Sequence, residues 1–285
     1  MALLATLTLG PWLLLQGRRV RRVTPVLPEP PGPRSGRVEP PPELSAPSAP
    51  SSPSALKHPS DESKGLRVLI TGDSAAAGVG APHQQQALAG QLPPRLAQAF
   101  ACPIEWSLVA RTGLTVESLC GLLAQQDPGA YDVVLVSIGV NEVTAGTDVS
   151  AWQARLNGLH QLLTGRLGAR CVLYSGIPPM HRFPALPQPL RWFLGRRARR
   201  LDQALAQWVT HAPGAYWVQL PDLPNEAIAV DGFHPGVRAY QAWAEVVVPI
   251  AVKAPLHPSQ LSRRSERSQR SQRSQPAIES VHTRE

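Results

Sequence analysis

The sequence predicts an α/β fold in which helices cover both faces of a parallel sheet of five strands. Apolar runs alternate with helical patterns along residues 66–253, an order that is typical of parallel sheets. The runs are almost continuously apolar, which indicates strands buried on both faces. The predicted strands are Leu66–Thr71, Ile104–Val109, Val133–Ile138, Cys171–Ser175 and Tyr216–Leu220. The predicted helices span about 85–100, 115–126, 148–167, 190–210 and 236–252.

The segments on the two sides of this region differ from it in composition. Residues 23–65 are rich in Pro, Ser, Ala and Gly, which predicts a disordered linker because such a segment buries too little apolar surface to fold. Residues 254–285 contain the polar tract SRRSERSQRSQRSQ, which predicts a disordered tail. The predicted order is therefore an N-terminal segment over 1–22, the linker, a domain over 66–253 and the tail.

The N-terminal segment combines an apolar run with a basic cluster. Residues 2–17 are apolar, but the run is shorter than the roughly 20 residues of a membrane-spanning helix, and Gly10-Pro11 interrupts it. Four arginines lie between Arg18 and Arg22, after the run, whereas a secretory signal places its basic residues before the run. We therefore expect residues 2–22 to associate with a membrane surface. The alternatives for the location of the protein are cytoplasmic and exported.

Charge and cysteine content favour neither a nucleic-acid partner nor a metal site. The formal net charge of +8 comes partly from the tail and the arginine cluster, and no folded groove with interleaved aromatic residues is evident. Cys102, Cys120 and Cys171 are too few and too widely spaced for a disulfide framework or a metal centre. No cofactor, no metal and no nucleic acid are predicted.

Candidate site residues follow four of the five predicted strands. Ser74 follows the first strand in TGDSAAAGVG, Gly113 follows the second in ARTGLT, and Asn141 follows the third in SIGVNEVT. Asp231 and His234 follow the fifth in VDGFHPG. Because sites in parallel sheets form at the carboxyl ends of strands, we expect these residues to lie at one edge of the sheet.

These residue types suit acyl transfer. Serine needs an adjacent base, which His234 supplies if Asp231 fixes its tautomer. The backbone N–H groups of Ser74 and Gly113 and the side-chain amide of Asn141 are the predicted oxyanion donors. Each residue also has a structural interpretation: Ser74 as a helix N-cap, Gly113 and Asn141 as turn residues, and Asp231 with His234 as a surface turn. The presence of all the blocks in order favours the catalytic interpretation.

The blocks GDSAAAG, the glycine of ARTG, GVNE and DGFHP together resemble those of the SGNH or GDSL-type serine hydrolases, over about residues 66–253. The resemblance implies a flavodoxin-like sheet in three layers and an esterase or lipase activity without a metal. The stretch that follows Ser74 is similar to the bacterial lysophospholipase-like branch. The family usually has Asp where this chain has Glu142. Asp73 precedes the serine in the family string, which implies that it ties down the nucleophile loop.

We therefore expect a serine ester hydrolase that acts on small-molecule or lipid esters: short acyl esters, lysophospholipids or thioesters. A catalytically silent binding module of the same fold and a carbohydrate O-acetyl esterase are the alternatives. A nucleotide-binding protein is disfavoured because TGDSAAAGVG lacks the spacing of a phosphate-binding loop. Residues 178–200 are expected to form a loop that leads into an amphipathic helix, with a substrate-covering lid as the alternative.

Overall fold

A sheet of six strands forms the centre of the structure, a computed structural model that describes residues 2–42, 65–129 and 131–255. The strands are β1 Ser35–Val38, β2 Leu66–Gly72, β3 Ile104–Ala110, β4 Val133–Ser137, β5 Cys171–Ser175 and β6 Ala215–Val218. Their order across the sheet is β1-β3-β2-β4-β5-β6. Strands β2 to β6 are parallel, and β1 pairs with β3 in the antiparallel direction. The order of the parallel strands is that of a flavodoxin-like sheet, as predicted.

Helices cover both faces of this sheet and give the predicted three-layer α/β/α architecture. Helices α2 and α7 pack on one face, and α3, α5 and α6 pack on the other. The helices are α1 Ala2–Val23, α2 Leu88–Phe100, α3 Val116–Leu123, α4 Val140–Ala145, α5 Val149–Gln161, α6 Leu190–Val209 and α7 Val237–Lys253. Every residue of β4 and β5 is buried, which explains why these strands are continuous apolar runs in the sequence.

The structure corrects the sequence prediction at the N-terminus and after β4. Strand β1 lies within the segment predicted to be a disordered linker, so that prediction is wrong for residues 35–38, where ladder pairing with β3 outweighs composition. Helix α1 continues through Pro11, where an interruption was expected. The short helix α4 was not predicted. The linker prediction over 43–64 and the tail prediction over 256–285 fall outside the described residues.

None of the helices within the described residues is long and apolar enough to cross a membrane. Helix α1 instead lies against the start of α6. Gln16 donates a hydrogen bond of 2.7 Å from Nε2 to the carbonyl of Gln188 and accepts one of 3.1 Å from the backbone N–H of Leu190. Leu13 is buried at the same contact. The middle of α1 is thereby fixed next to the loop that precedes α6.

Candidate active site

Ser74, His234 and Asp231 form one continuous chain of hydrogen bonds. His234 Nε2 lies 2.9 Å from Ser74 Oγ, and His234 Nδ1 lies 2.5 Å from Asp231 Oδ2. Ser74 and His234 are 160 residues apart in sequence, so the fold alone brings them together. The structure places these three predicted site residues in contact, at the carboxyl edge of the sheet.

The Asp231 carboxylate is held by three donors. Its second oxygen, Oδ1, accepts hydrogen bonds of 3.0 Å from the backbone N–H groups of Phe233 and His234. Burial alone would raise the pKa of Asp231, but the hydrogen bonds from the His234 ring, the His234 backbone and the Phe233 backbone outweigh it and lower that pKa. The carboxylate therefore stays ionised at neutral pH, where it keeps the Nδ1 proton of His234 in place.

A sharp turn after β2 presents Ser74. Gly72 has a φ of +145°, and a Cβ atom there would collide with the carbonyl of Ser137 on the neighbouring strand. Glycine is thus required at the point where the chain leaves the sheet. The backbone N–H of Asp73 donates to that same carbonyl at 2.9 Å, and the Asp73 carboxyl accepts from the backbone N–H of Ala75 at 3.1 Å. These bonds hold the loop that carries Ser74 in place.

Asp73 is almost fully buried beside the serine. Burial raises its pKa from 3.8 to about 7, with nearby Glu142 acting in the same direction. The hydrogen bond from Ala75 and the proximity of His234 oppose this rise in the pKa of Asp73. Around neutral pH the Asp73 carboxyl is therefore partly protonated, in a position where it contacts the backbone rather than the base.

Gly113 and Asn141 flank the loop that carries Ser74, on the segments that follow the two strands bordering β2. Gly72 pairs with Ala110 of β3 on one side and with Ser137 of β4 on the other, so the segments that follow these strands emerge on either side of Ser74. Gly113 has a φ of +83°. Asn141 lies in the first turn of α4, and its Nδ2 donates to the carbonyl of Leu114 at 2.8 Å. This bond links the asparagine block directly to the glycine block.

Glu142, the departure from the usual Asp, is completely buried and supports the same segment. Its Oε1 accepts a hydrogen bond of 2.6 Å from the backbone N–H of Val116, the first residue of α3. Burial raises the pKa of Glu142, although the hydrogen bond from Val116 counteracts the rise. The longer side chain still reaches the loop after β3.

An apolar pocket opens beside the serine and the histidine. Its volume is about 140 Å³. Its walls combine the ends of β4 and β5 with the loops around residues 178–183 and 220–235, and they include Ile138, Val140, Phe183, Leu223, Ile228 and Phe233. The segment singled out in the sequence as a loop or lid thus contributes one wall of the pocket. The first part of the loop after β6, residues 220–228, contributes another wall, which no sequence motif indicated.

One charged pair lies at the mouth of this pocket. Arg182 forms an ion pair with Asp222, and both residues line the pocket. Within the part of the chain that the structure describes, no group of three or more His, Cys, Asp or Glu side chains could hold a metal ion. The site thus presents a serine hydroxyl that is hydrogen-bonded to a histidine ring, next to an apolar cavity.

Comparisons with known proteins agree with this geometry. The sequence profile of the GDSL-like lipase/acylhydrolase family matches residues 70–242, more than half of the chain. A search of curated proteins found no match.

Two solved structures show the same fold. The first, a member of the lipolytic protein G-D-S-L family from Veillonella parvula, has a TM-score of 0.52 and 12% identity, and the match covers 66% of this chain and 98% of that chain. The second, the lipase Lip_vut3 from a goat rumen metagenome, has a TM-score of 0.52 and 16% identity, with coverage of 66% and 98%. The profile match over the region that carries the site shows that this chain belongs to the GDSL-like lipase/acylhydrolase family and is an ester-hydrolysing enzyme.

Proposed function

We propose that Ser74 is the nucleophile of an esterase that works through an acyl-serine intermediate. His234 Nε2 accepts the proton of Ser74 Oγ as this oxygen forms a bond to the ester carbonyl carbon. The tetrahedral intermediate collapses, the bond to the alcohol oxygen breaks, and His234 returns the proton to the leaving alcohol. In the second half of the reaction, His234 takes a proton from water as the water oxygen attacks the acyl carbon. The bond between this carbon and Ser74 Oγ then breaks, His234 returns the proton to Oγ, and the acid leaves. The observation that carries the proposal is the unbroken hydrogen-bond chain from Asp231 to Ser74.

The oxyanion of the tetrahedral intermediate is assigned to three donors in this proposal. They are the backbone N–H groups of Ser74 and Gly113 and the second Nδ2 hydrogen of Asn141. The first Nδ2 hydrogen of Asn141 is already used by Leu114, which fixes the direction of the amide plane. Preorganised donors of this kind stabilise negative charge that develops in the transition state more than charge in the bound substrate.

The pocket favours a short acyl chain. A cavity of about 150 Å³ in another protein holds one benzene molecule, which has six carbon atoms. The pocket beside Ser74 is of similar volume, about 140 Å³, and mostly apolar. Chains from acetyl to about hexanoyl therefore fit within it, whereas the long chain of a lysophospholipid would extend beyond it. We infer that short acyl esters are preferred over lysophospholipids, with the alcohol half of the ester outside the pocket.

The test combines a covalent probe with a substrate series. A fluorophosphonate probe should label the full-length protein and should not label Ser74→Ala. Ser137→Ala is the matched control, because Ser137 also lines the pocket but forms no hydrogen bond with His234 in the structure described; it should still be labelled. Labelling that persists in Ser74→Ala, or no labelling of the wild-type protein, would favour the silent binding module and refute the esterase proposal.

Substrate choice is then measured with p-nitrophenyl esters from acetyl to dodecanoyl. We expect kcat/KM to be highest for two to six acyl carbons and to fall for longer chains. Acetylated oligosaccharides, a thioester and a lysophospholipid extend the series to the other substrate classes. A maximum at ten carbons or more, or preferred cleavage of the lysophospholipid, would contradict the short-chain assignment while leaving the serine mechanism intact.

We further propose that helix α1 binds anionic membrane surfaces. Trp12, Leu14 and Leu15 are exposed, with 55%, 68% and 58% of their surface accessible. The exposed arginines of the same helix are Arg18, Arg19, Arg21 and Arg22. Apolar and basic residues together give the two signals that stable membrane association generally needs. On α6, Trp192 is also exposed, with the Arg196 guanidinium 5.1 Å from the centre of its ring.

Sedimentation with lipid vesicles tests this assignment. Full-length protein should sediment with phosphatidylserine-containing vesicles, less so at high salt, and should not sediment with pure phosphatidylcholine. The double variant Trp12→Ala/Leu15→Ala should bind at least tenfold more weakly, whereas Val26→Ala, an exposed apolar residue outside α1, should bind normally. Equal binding of the double variant and the wild type would refute the role of α1.

A further inference from the structure

The segment between α1 and β1 packs against the loops that follow β2 and β3. We name residues 24–38 the N-terminal arm. Its last four residues form β1, and the carbonyl of Arg34 accepts a hydrogen bond of 2.7 Å from the backbone N–H of Leu108 on β3. The carbonyl of Pro31 accepts one of 2.9 Å from the backbone N–H of Gln84, and Gln84 is buried. The arm is therefore anchored both to the sheet edge and to the loop that follows the nucleophile.

Glu29 of this arm holds the loop that contains Gly113. Its Oε1 accepts a hydrogen bond of 2.7 Å from the backbone N–H of Thr112 and one of 3.0 Å from the Thr112 hydroxyl. Its Oε2 lies 3.1 Å from the Arg34 guanidinium, which also donates to the carbonyl of Ala110 at the end of β3. The Glu29 carboxylate and the Arg34 guanidinium thus hold the backbone at Thr112 and at Ala110, on the two sides of Arg111. We call this pair of contacts the clasp.

Gly113 has no side chain that could anchor it, so its orientation depends on the residues next to it. It is exposed, and a Cβ atom placed on it would meet no atom within 4 Å. Its N–H belongs to the peptide unit that joins it to Thr112, so the hydrogen bonds of Thr112 help to set the direction of that N–H. On the other side, the bond from Asn141 holds the carbonyl of Leu114. The segment is fixed at Thr112 and at Leu114, with Gly113 between.

We propose that Glu29 is a positioning residue for the oxyanion site, acting through Thr112 on the N–H of Gly113. The proposal rests on the esterase function proposed above and extends it to a part of the chain that lies outside the family match over 70–242. Loss of the clasp leaves the donor present but poorly aimed at the oxyanion. Deleting one donor costs about a hundredfold to a thousandfold in kcat. A misdirected donor should cost less, between about tenfold and a hundredfold.

The experiment uses full-length protein and an ester of short acyl chain. Glu29→Ala should lower kcat at least tenfold with KM within twofold of the wild type, because the donor acts on the developing charge and not on the bound ester. Glu29→Gln keeps a carbonyl oxygen for Thr112 and should retain kcat within threefold. Glu39→Ala is the matched control: it removes an acidic residue that pairs with Arg37 near the opposite end of β3, and it should leave kcat unchanged.

Two readouts separate the outcomes. If Glu29→Ala keeps kcat within twofold of the wild type while Ser74→Ala is inactive, the positioning role is refuted and the esterase proposal stands. If Ser74→Ala remains active, the esterase proposal itself fails. Thermal unfolding accompanies each assay. If Glu29→Ala fails to fold, Glu29→Asp is tested instead, because it keeps the charge but draws the oxygens back from Thr112. A fivefold loss of kcat at constant KM in this variant supports the proposal, and an unchanged kcat overturns it.

Discussion

Replacement of Asp231 by Asn tests the role of the Asp231 carboxylate more sharply than removal of the whole side chain. In the structure, Oδ1 of Asp231 accepts from two backbone N–H groups, and Oδ2 accepts from His234 Nδ1. An asparagine has only one oxygen, and the two backbone donors will hold it in the Oδ1 position. Its amide –NH₂ group then occupies the Oδ2 position and faces Nδ1 as a donor.

Two donors cannot share one hydrogen bond, so His234 must place its proton on Nε2. In that tautomer Nε2 donates to Ser74 Oγ, 2.9 Å away, and is unable to accept the serine proton. The substitution also removes the negative charge that stabilises the imidazolium. The equivalent change in a well-studied serine protease lowers kcat about 10⁴-fold. The same loss here would raise the free energy of activation by about 5.5 kcal/mol.

The assay is hydrolysis of p-nitrophenyl acetate by the purified full-length variant between about pH 5 and 9. We expect a kcat near 10⁻⁴ of the wild-type value, with the fold unchanged by circular dichroism, because both backbone bonds to residue 231 persist. Asp222→Asn, at the pocket mouth, serves as the matched control and should retain kcat within threefold. A kcat for Asp231→Asn within tenfold of the wild type would show that Asp231 does not set the tautomer. The double variant with Ser74→Ala should be no slower than Ser74→Ala alone.

Three further predictions concern the oxyanion site, the buried acid and the arm. Asn141→Ala should lower kcat about a hundredfold at constant KM in the same assay; a change in KM alone would contradict the oxyanion role. Burial raises the pKa of Asp73 from 3.8 to about 7, so the protonated side chain stabilises the fold at low pH. This contribution to the free energy of unfolding falls by about 4 kcal/mol in total as pH rises from about 4 to 7. Urea unfolding should show that Asp73→Asn lacks this fall. A chain that begins at residue 24 should keep full kcat and lose vesicle binding, whereas one that begins at residue 43 should lose kcat at least tenfold.

The central strands could be predicted because burial on both faces of the sheet requires apolar residues at nearly every position of the sequence. Strands such as β4 and β5 are apolar at nearly every position, and the observed strand ends differ from the predicted ones by two residues or fewer. The positions of the candidate site residues could be predicted for a related reason. Ser74, Asp231 and His234 each follow a strand, and parallel strands bring their carboxyl ends to one edge.

The parts that could not be predicted depend on contacts that leave little local signal. Helix α4 has six residues and begins within the asparagine block, so its length is too short for a periodic pattern. Strand β1 is exposed at three of its four positions and therefore shows no apolar alternation. The bond from Thr112 to Glu29 joins residues 83 positions apart, a pairing that neither propensity nor spacing encodes.

Strand β1 also shows why composition misled the interpretation of residues 35–38. Proline lacks an N–H donor, but an edge strand needs donors only on its inner side, and the four residues SGRV contain none of the prolines that surround them. The charged Arg37 suits an outer edge, since it discourages pairing with another chain. An arm of this kind covers the exposed side of β3, and the same arm carries Glu29 to the end of that strand. In our proposal, the stability of the sheet edge and the alignment of the oxyanion loop both depend on this one short segment, and we expect substitutions that detach β1 to reduce turnover before they unfold the domain.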